Sequence, residues 1–546
     1  QYTKSVGEKY VLTSAATDLA MARTAFAKFN NDDVKALLNK LFTTGEFRLF
    51  ISTNKPVNAA NVLKQYQAGT KVAVKDPRKK GAKSFAYTKF GKRGKVVATA
   101  PADKTVAKNA KALGISMLRF KNNTRLNIKP TDFEKGRVGV VVRFGNGLLS
   151  LPKNKPGLTL FTAMTYDTGG LAKHKVMDIQ QLLAGKSVSS NFSIDEDSFV
   201  LSGSTDAKNI LTQMQLMCAY LTDPGFHDEA LRQMQIAVPM QFAQLKTDPE
   251  GTLQTQVMPL IHNDYRFAFP TQKQVLSRTV AESRAWLAKA QKRGYLEISV
   301  VGDVQPQAVI DAVAKTFGAL GKRAATKTPH PAQSTIQTNS TLAGKMRSFR
   351  YQGTKSKSFA LVTWPLAEGD DYKQTRCQSI LSRIFSDRVM KKIREELGLA
   401  YSPYIMARSS SVFPKNGYYM GVLGTSPETA KQVADIVRTM GQDLADKGVT
   451  DDEFKQAIKP TLESIKTYRK TNAYWLQSVL PDSSLQPWRL DASLDMTKFY
   501  QSMTKEMLVP VAKTYLQSSK AFRCMVLPSN YKPAAKPAAT KTKKAA

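Results

Sequence analysis

The sequence repeats one order of secondary-structure patterns, first in residues 116–322 and again in residues 340–530. Each copy begins with strand patterns, continues with amphipathic helix patterns and closes on a strand, "YLEISVVGDV" (295–304) in the first and "AFRCMVLPS" (521–529) in the second. A repeat on this scale is typical of a duplicated domain, each copy of which has a core of its own. Because strands and helices are grouped, the pattern predicts α+β domains with antiparallel sheets.

The first copy opens with two strand patterns, "TRLNIKPTDF" (124–133) and the Val-rich "GRVGVVVRFG" (136–145). The serine-rich residues 187–205 predict a hairpin. Apolar periodicity predicts helices at 173–184, 206–222, 226–246 and 280–292, and one more after the closing strand.

The second copy has a strand pattern at "SKSFALVTWPL" (356–366). It also has a hairpin pattern in which "AYSPYIMARSSS" (400–411) precedes "NGYYMGVLG" (416–424). Helices are predicted at 371–397, 426–447 and 451–470. Together the two copies predict two complete domains of related fold.

Three further segments flank the two copies. Residues 1–54 hold two helix patterns within 14–43 and the strand pattern "FRLFIS" (47–52), which we interpret as the tail of a preceding similar domain. Residues 55–115, rich in Lys, Gly, Ala and Pro, predict a linker, and the basic residues 531–546 predict a disordered tail. Because a half-domain exposes a sheet edge and an apolar face, we expect a missing N-terminal part.

The net charge of +38, from 81 basic and 43 acidic residues, would attract nucleic acid, anionic membrane surfaces or acidic peptides. The densest stretch, "KDPRKKGAKSFAYTKFGKRGK" (75–95), matches no RNA-recognition, zinc-finger or helix-turn-helix signature. A basic nucleic-acid or polyanion binder stays an alternative to a solvated basic surface. No apolar run approaches the about 20 residues that span a bilayer, and three scattered cysteines exclude a disulfide-built scaffold.

Candidate metal chemistry is sparse. The four histidines belong to no HExxH or HxxEH motif, and the chain has neither a G-x-S-x-G elbow nor a P-loop. His174 and Asp178 lie four positions apart in the predicted helix 173–184, a spacing that places two side chains on one face. Two ligands without a third bind a metal weakly. The favoured interpretation is an amphipathic helix with four core-facing residues, Val176, Ile179, Leu182 and Leu183.

The segment "RIFSDRVMKKIREELGLAYSPYIMARSS" (383–410) is the most informative one. Arg394 lies in the last turns of a predicted helix that ends at Gly398, and Tyr401 follows at the start of a strand. A guanidinium and a phenol at one corner can donate hydrogen bonds to a peptide carbonyl or to a developing oxyanion. Spacing alone favours a structural arrangement, in which Arg394 pairs with an adjacent glutamate and Tyr401 is half-buried in the sheet.

Within that segment, "IREELGLAYSPYI" (393–405) resembles the C-terminal half of M16 (pitrilysin/insulinase-type) zinc metallopeptidases, in particular the PqqL-like group. The resemblance covers nearly the whole chain in the family's order, with 1–54 similar to the end of the second family domain and 55–115 to the linker between the halves. Four other stretches carry it: "FKNNTRLNIKPTDFEKGRVGVVVRFGNG" (120–147), "PGLTLFTAMTYDTGGLAKH" (156–174), "AYLTDPGFHDEALR" (219–232) and "LEISVVGDV" (296–304).

The resemblance implies LuxS/metallohydrolase-like α+β sandwich domains, four to a complete enzyme, arranged as two halves that close around a peptide. The first domain of the family carries zinc on HxxEH and a downstream Glu. The second half contributes an Arg and a Tyr seven residues apart, which Arg394 and Tyr401 match. The implied roles are binding of substrate carbonyls and, for Tyr401, stabilisation of the tetrahedral intermediate at zinc held by the other half.

The first copy corresponds to a zinc domain whose motif is degenerate. Aligned on the small residues before the motif, Lys173 takes the place of the first His, Val176 that of the Glu and Met177 that of the second His. The segment "AVPMQF" (237–242) offers no acid for the downstream Glu. A charged Lys cannot ligate zinc, and Val and Met cannot act as a general base. We expect no metal or cofactor in this chain and zinc in the partner half.

The expected function follows from the resemblance. The chain would be a non-zinc-binding half or subunit of an M16-type metallopeptidase, inactive alone, that closes the chamber and binds peptide. Its partners would be an HxxEH-bearing M16 half, either a separate subunit or the N-terminal part of the same precursor, and a peptide substrate, without nucleic acid. The alternative is a structural subunit like the M16-type core subunits of respiratory complexes. The family suggests a periplasmic or secreted location.

Overall fold

The computed structural model describes residues 11, 13–43, 48–53, 56–72, 84–353, 357–400 and 402–532. The chain divides into two compact units, Gln1–Ala82 and Lys83–Ala546. The second unit contains both predicted copies, and each copy is built on a β-sheet of its own. Most of the predicted tail 531–546 lies outside the described residues.

The first unit is helical in its described part. Its helices are α1 (Ala15–Lys28), α2 (Asn31–Thr43) and α3 (Ala59–Thr70). The Ser14 hydroxyl caps α1 by accepting the Thr17 N–H at 3.1 Å. The strand predicted at 47–52 is wrong for its described residues 48–52, which are not part of a strand and are exposed. A strand needs a neighbour to satisfy its backbone groups, and the described part of this unit holds none.

The first copy is built on a seven-stranded sheet with the order β1-β2-β3-β7-β4-β6-β5. The strands are β1 (Val96–Ala98), β2 (Ser116–Phe120), β3 (Arg125–Pro130), β4 (Val138–Phe144), β5 (Asn191–Ile194), β6 (Phe199–Thr205) and β7 (Leu296–Gly302). The pair β3–β7 is parallel and the other pairs are antiparallel. The Val-rich β4 buries every second residue, as the two-residue period of a strand requires.

Most helices of the first copy pack on one face of that sheet, where Phe144, Leu216, Leu287 and Val313 meet in a common core. Ala110 packs instead with Val301 and Trp475, and Ile261 packs with residues of the second copy. The helices are α4 (Lys104–Ala112), α5 (Leu158–Tyr166), α6 (Val176–Leu182), α7 (Ile210–Thr222), α8 (Asp228–Thr247), α9 (Pro249–Thr252), α10 (Met258–His262), α11 (Gln272–Leu276), α12 (Val280–Arg293) and α13 (Pro306–Lys315). A π-helical turn, Leu253–Val257, joins α9 to α10.

The second copy is built on a five-stranded sheet with the order β10-β11-β9-β12-β8. The strands are β8 (Met346–Tyr351), β9 (Ser358–Leu366), β10 (Tyr404–Arg408), β11 (Gly417–Thr425) and β12 (Phe522–Pro528). The helices are α14 (Ala332–Thr335), α15 (Tyr372–Val389), α16 (Ala430–Lys447), α17 (Asp451–Tyr468), α18 (Asn472–Tyr474), α19 (Trp488–Ser502) and α20 (Val509–Tyr515). Of these, α15, α16 and α20 pack on one face of the sheet through Phe385, Val437 and Leu516.

The strand orders show the duplication directly. Read from one edge, β8-β12-β9-β11-β10 reproduces β3-β7-β4-β6-β5, including the single parallel pair. The α+β class is confirmed, with the correction that each sheet is mixed rather than antiparallel. The boundary placed at 116 also differs from the structure, because β1 and α4 lie inside the predicted linker 55–115 and Val96 pairs with Phe120.

A buried charge cluster connects the two copies. Arg143 on β4 donates to Asp482 at 3.0 Å, to Asp195 at 2.8 Å and to Asp197 at 3.1 Å. The Lys327 ammonium lies 2.9 Å from Asp482 and 3.0 Å from Asp197. Burial opposes ionisation of Asp197, but Lys327 and Arg143 outweigh it and hold the pKa of that carboxyl below its usual value. Because Asp482 belongs to the second copy, the cluster fixes one copy against the other.

Candidate functional site

Arg394 lies where α15 gives way to a wider π-helical turn, Met390–Glu396. The buried residues Phe385 and Val389 anchor α15 on the sheet, and Ile393 continues that row. Arg394, one residue further, is exposed, and its Nη1 lies 3.8 Å from the sulfur of Met390. Single π turns in a helix are rare and concentrate at functional sites.

The helix ends at the predicted glycine. Gly398 has φ +63°, the left-handed conformation that glycine adopts without a steric cost, and its N–H donates to the Arg394 carbonyl at 3.2 Å. Of the two glutamates that could pair with Arg394, Glu396 is paired with Lys392 at 2.7 Å. Tyr401, the predicted partner in substrate contact, lies outside the described residues.

The strand that follows, β10, is held against α15. The Ile405 N–H donates to the Ser386 hydroxyl at 3.2 Å, and the Ser382 hydroxyl donates to the Ile405 carbonyl at 3.1 Å. β10 is an edge strand, and these two serines occupy backbone groups that an edge strand otherwise exposes. The strand begins at Tyr404, four residues later than predicted, and its Tyr404 and Met406 side chains are exposed.

The degenerate motif forms a turn followed by a short helix. Leu171 and His174 exchange two backbone hydrogen bonds of 2.9 Å, and α6 begins only at Val176. The helix predicted over 173–184 is therefore too long at its start. Lys173 precedes α6, so it does not share a helical face with Met177, which is 65% exposed.

His174 and Asp178 serve different structural partners. The Asp178 carboxylate accepts the Lys175 N–H at 3.1 Å, which caps the start of α6. The His174 Nε2 accepts the Ala86 N–H at 2.9 Å, and its ring stacks on Phe85 at 5.7 Å between centroids. The core-facing role predicted for α6 is confirmed for Ile179 and Leu183, which are buried, whereas Val176 and Leu182 are half-buried.

Tyr87 completes the cover over this turn. Its hydroxyl donates to Asp223 at 2.7 Å and accepts the Lys173 N–H at 3.1 Å, and the Lys173 ammonium lies 5.6 Å from the centre of its ring. Burial, followed by the hydrogen bond to Asp223, raises the pKa of Tyr87 to about 12. Residues of the segment 84–88 thus occupy the surroundings of the degenerate motif.

The residues present at this place do not fit a zinc ion. Lys173, Val176 and Met177 supply no neutral imidazole or carboxylate, and one ring nitrogen of His174 is already engaged. Residues 237–242 lie within α8 and contain no acid. Across the described ranges, no three His, Cys, Asp or Glu side chains converge as metal ligands.

The remaining histidines and the cysteines have structural surroundings. His227 Nε2 lies 2.9 Å from the Leu171 carbonyl oxygen. Burial lowers the pKa of His262, whose Nδ1 lies 3.1 Å from the side-chain oxygen of Asn416. All three cysteines are buried and unpaired, and burial raises the pKa of Cys377 to about 11, which leaves the thiol protonated at neutral pH. The described helices include none with the length and apolar character needed to cross a bilayer.

Part of the chain matches a known protein family. Residues 278–460 match the model of the Peptidase M16 inactive domain. Among curated relatives, the chloroplastic stromal processing peptidase of Pisum sativum is 28% identical over 131 residues, which are 23% of this chain and 10% of that protein. The match therefore spans about a tenth of the relative's length.

Solved structures agree over most of the chain. A mutant of the ferredoxin protease FusC, solved in complex with Arabidopsis ferredoxin, has a TM-score of 0.67 at 12% identity and covers 97% of this chain and 57% of its own. The periplasmic protease PqqL from Escherichia coli has a TM-score of 0.64 at 14% identity and covers 93% of this chain and 52% of its own. This chain thus spans about half the length of both, and at these identities the likeness is one of fold. The predicted resemblance is confirmed: the chain carries an M16 peptidase inactive domain and has the M16-type fold.

Proposed function

We propose that this chain is the non-zinc-binding half of an M16-type metallopeptidase and acts only with a half that carries HxxEH. It closes the chamber around a peptide, and Arg394 and Tyr401 bind the substrate main chain. Tyr401 additionally donates a hydrogen bond to the tetrahedral intermediate formed at the zinc of the partner half. The chain alone binds no zinc and hydrolyses no peptide.

The observation that carries the proposal is the contrast between two places. The turn that carries the degenerate motif is contacted by the protein's own Phe85, Ala86 and Tyr87. Arg394, in contrast, is exposed on a π-helical turn. A guanidinium carries five N–H donors, which main-chain carbonyls can accept. Exposure of Arg394 is therefore consistent with a role outside the core.

The first compact unit supports the existence of a partner. Its Phe26, Phe42 and Phe50 side chains are exposed, together with several leucines of α2. Large exposed apolar side chains in one segment are typical of interaction surfaces. We propose that an HxxEH-bearing half covers them, whether it is a separate subunit or part of the same precursor.

Reconstitution tests the proposal. The purified chain is mixed with the HxxEH-bearing M16 protein of the same source, and cleavage of a quenched fluorescent peptide library is followed with zinc present. We expect no cleavage by this chain alone and cleavage by the mixture. Tyr401→Phe should lower kcat by about 10²–10³-fold, as the loss of one oxyanion donor does, and Arg394→Ala should mainly raise KM.

Arg383→Ala is the matched control, since Arg383 is an exposed arginine of α15, outside the π-helical turn that carries Arg394, and lies 3.4 Å from the Thr461 hydroxyl. It should leave kcat/KM unchanged. Equal cleavage by the Arg394→Ala and Tyr401→Phe mixtures would refute the substrate-contact role and favour the structural-subunit alternative. Steeply salt-dependent DNA binding without peptide binding would favour the polyanion binder.

The proposed compartment is periplasmic or secreted. Its support is the resemblance in fold to the periplasmic protease PqqL. Cell fractionation with an antibody against the chain tests it, and recovery only with cytoplasmic markers would refute it.

A further inference from the structure

The two copies treat one sheet edge differently. In the first copy, β3 is covered because β2 pairs with it antiparallel and β1 extends the sheet further. The equivalent strand of the second copy, β8, ends its sheet, and within the described ranges no strand pairs with its outer side. The inner side of β8 pairs with β12 in parallel.

The outward backbone groups of β8 can be assigned from its register. The Arg523 N–H donates to the Lys345 carbonyl at 3.0 Å, and the Ser529 N–H donates to the Tyr351 carbonyl at 2.9 Å. Odd-numbered residues therefore face β12, and even-numbered ones face away, because successive backbone groups of a strand alternate in direction. Ser348 and Arg350 accordingly present their N–H and C=O groups outward, and both residues are exposed.

A cleft of about 500 Å³ lies at the C-terminal end of this edge, between β8 and α8. Phe242 and Phe269 line it with their rings 5.7 Å apart, and Phe242 is buried. Arg350 and Gln352 line it from the strand side, and the Gln352 N–H donates to the Lys246 carbonyl at 2.7 Å. We name this place the β8–α8 cleft; its volume lies within the range of about 300–1,000 Å³ common for ligand sites.

The charge of the cleft has one sign. Its ionisable lining residues are Lys246, Lys273 and Arg350, and in the described part of the chain none of the three is ion-paired with a carboxylate. The nearest acid in sequence to Lys246 is Asp248, which caps α9, and Glu250 is paired with Lys357. Arg350 is held in place because its Nη1 donates to the carbonyls of Pro528 and Tyr531, each at 2.9 Å.

We propose that the β8–α8 cleft binds an extended acidic segment of a substrate polypeptide. The segment pairs with Ser348 and Arg350 as an added strand, its carboxylates face Lys246 and Lys273, and one apolar side chain rests on Phe242 and Phe269. Strand addition supplies affinity through main-chain hydrogen bonds, and pockets for side chains supply selectivity. That the bound segment belongs to a substrate rests on the proposed function. The β8–α8 cleft itself does not include Arg394.

Peptide binding to the isolated chain tests the proposal. The probe is a fluorescein-labelled peptide of about ten residues, made of Glu and Ser with one central Phe, and binding is followed by fluorescence anisotropy. We expect saturable binding that weakens at least tenfold in the Lys246→Glu/Lys273→Glu variant. The same peptide with alternate backbone nitrogens methylated should bind at least tenfold more weakly to the unchanged protein, because it cannot pair with β8.

The matched control is Lys292→Glu/Lys459→Glu, which reverses the same charge at two exposed lysines of α12 and α17 that do not line the cleft. Equal weakening by both double variants would overturn the proposal in favour of general attraction to a basic surface. Equal binding of the methylated peptide would overturn strand addition. This binding assay uses the chain without a zinc-bearing half, so it is independent of the reconstitution assay. If the peptide does not bind but the reconstituted enzyme is active, the β8–α8 cleft is refuted and the proposed function is not. If the peptide binds but Arg394→Ala leaves the reconstituted enzyme unaffected, only the role of Arg394 is refuted.

Discussion

The two copies share one strand order but use it differently. In the first copy, Tyr87 and its neighbours contact the turn at 169–175, and β2 pairs with the outer side of β3. The N–H of Phe192 in the edge strand β5 donates to Asp167 at 2.5 Å. In the second copy, the helix end exposes Arg394 and the β8 edge carries no neighbouring strand among the described residues. The first copy is closed on itself, and the second presents groups to solvent.

This difference indicates how a duplicated fold divides its roles. A copy with a structural role gains stability when its own chain satisfies its buried polar groups. A copy that contacts other molecules has to keep donors exposed, at some cost in stability. The predictions below test whether the first copy is structural and the second one interactive.

The largest effect is expected at the charge cluster between the copies. Asp482 is 3% exposed, and Asp482→Ala leaves Arg143 and Lys327 buried with one carboxylate fewer. Breaking a buried ion pair by removing one partner costs about 3–5 kcal/mol, so the free energy of unfolding in urea should fall by that amount. Asp195→Ala removes the 44% exposed partner of the same arginine and should cost at most about 1 kcal/mol. Equal losses would show that burial does not decide the contribution.

A smaller effect is expected at the cover of the first copy. Tyr87→Phe removes the hydroxyl that joins Asp223 to the Lys173 N–H. A hydrogen bond to a charged group contributes about 1.5–3 kcal/mol, and the urea unfolding curve should shift accordingly. Tyr372→Phe is the control, because in the described structure the Tyr372 ring stacks on Trp488 and no hydrogen bond of its hydroxyl is formed. A Tyr87 variant as stable as the control would contradict a structural role for this cover.

The β5 edge gives a pH-dependent test. Burial raises the pKa of Asp167 from 3.8 to about 6, so the native state holds this proton more tightly than the unfolded chain does. Its stabilising contribution is full below pH 3.8 and is lost as the pH rises through 6. Asp167→Asn keeps an acceptor for the Phe192 N–H without the titration. The variant should gain stability relative to the unchanged protein as the pH rises from 3.8 through 6, and a constant difference across that range would contradict the assignment.

Much of the fold could be predicted from the sequence because periodicity encodes burial. The Val-rich β4 and the largely buried β9 and β11 lie where their apolar patterns placed them. The strands β2 and β8 were missed because arginines interrupt their apolar residues, and β1 was missed because it is only three residues long. Their neighbours in the sheet make them strands. The same basic composition hid Phe85 and Tyr87 inside a segment interpreted as a linker, although two aromatics among lysines were a usable signal.

The site was predicted only in part, for a related reason. The glycine that ends the helix of Arg394 follows from local sequence, and the structure agrees, whereas the substrate-contact role of Arg394 and Tyr401 stays a prediction. The side-chain partners of Asp482 and Tyr87 lie more than eighty residues away along the chain, and a single sequence contains no information on such pairs. Ile393, inside the widened turn at Met390–Glu396, packs into the core of the second copy.

The smallest effect is expected from zinc. Saturating zinc should leave the thermal midpoint of the chain unchanged, and a chelator should change nothing. The variant Lys173→His/Val176→Glu/Met177→His should behave in the same way, although it restores the family's residue types. HxxEH binds zinc because its two histidines lie one turn apart on a helix, whereas α6 begins at Val176 and leaves position 173 in the preceding turn. A site occupied at about 100 times its Kd would stabilise the variant by about 2.7 kcal/mol. A rise of several degrees in the thermal midpoint of the variant with zinc would therefore show that the turn can rearrange into a metal-binding helix. The side chains of this turn, rather than its backbone, would then prevent metal binding in the unchanged protein.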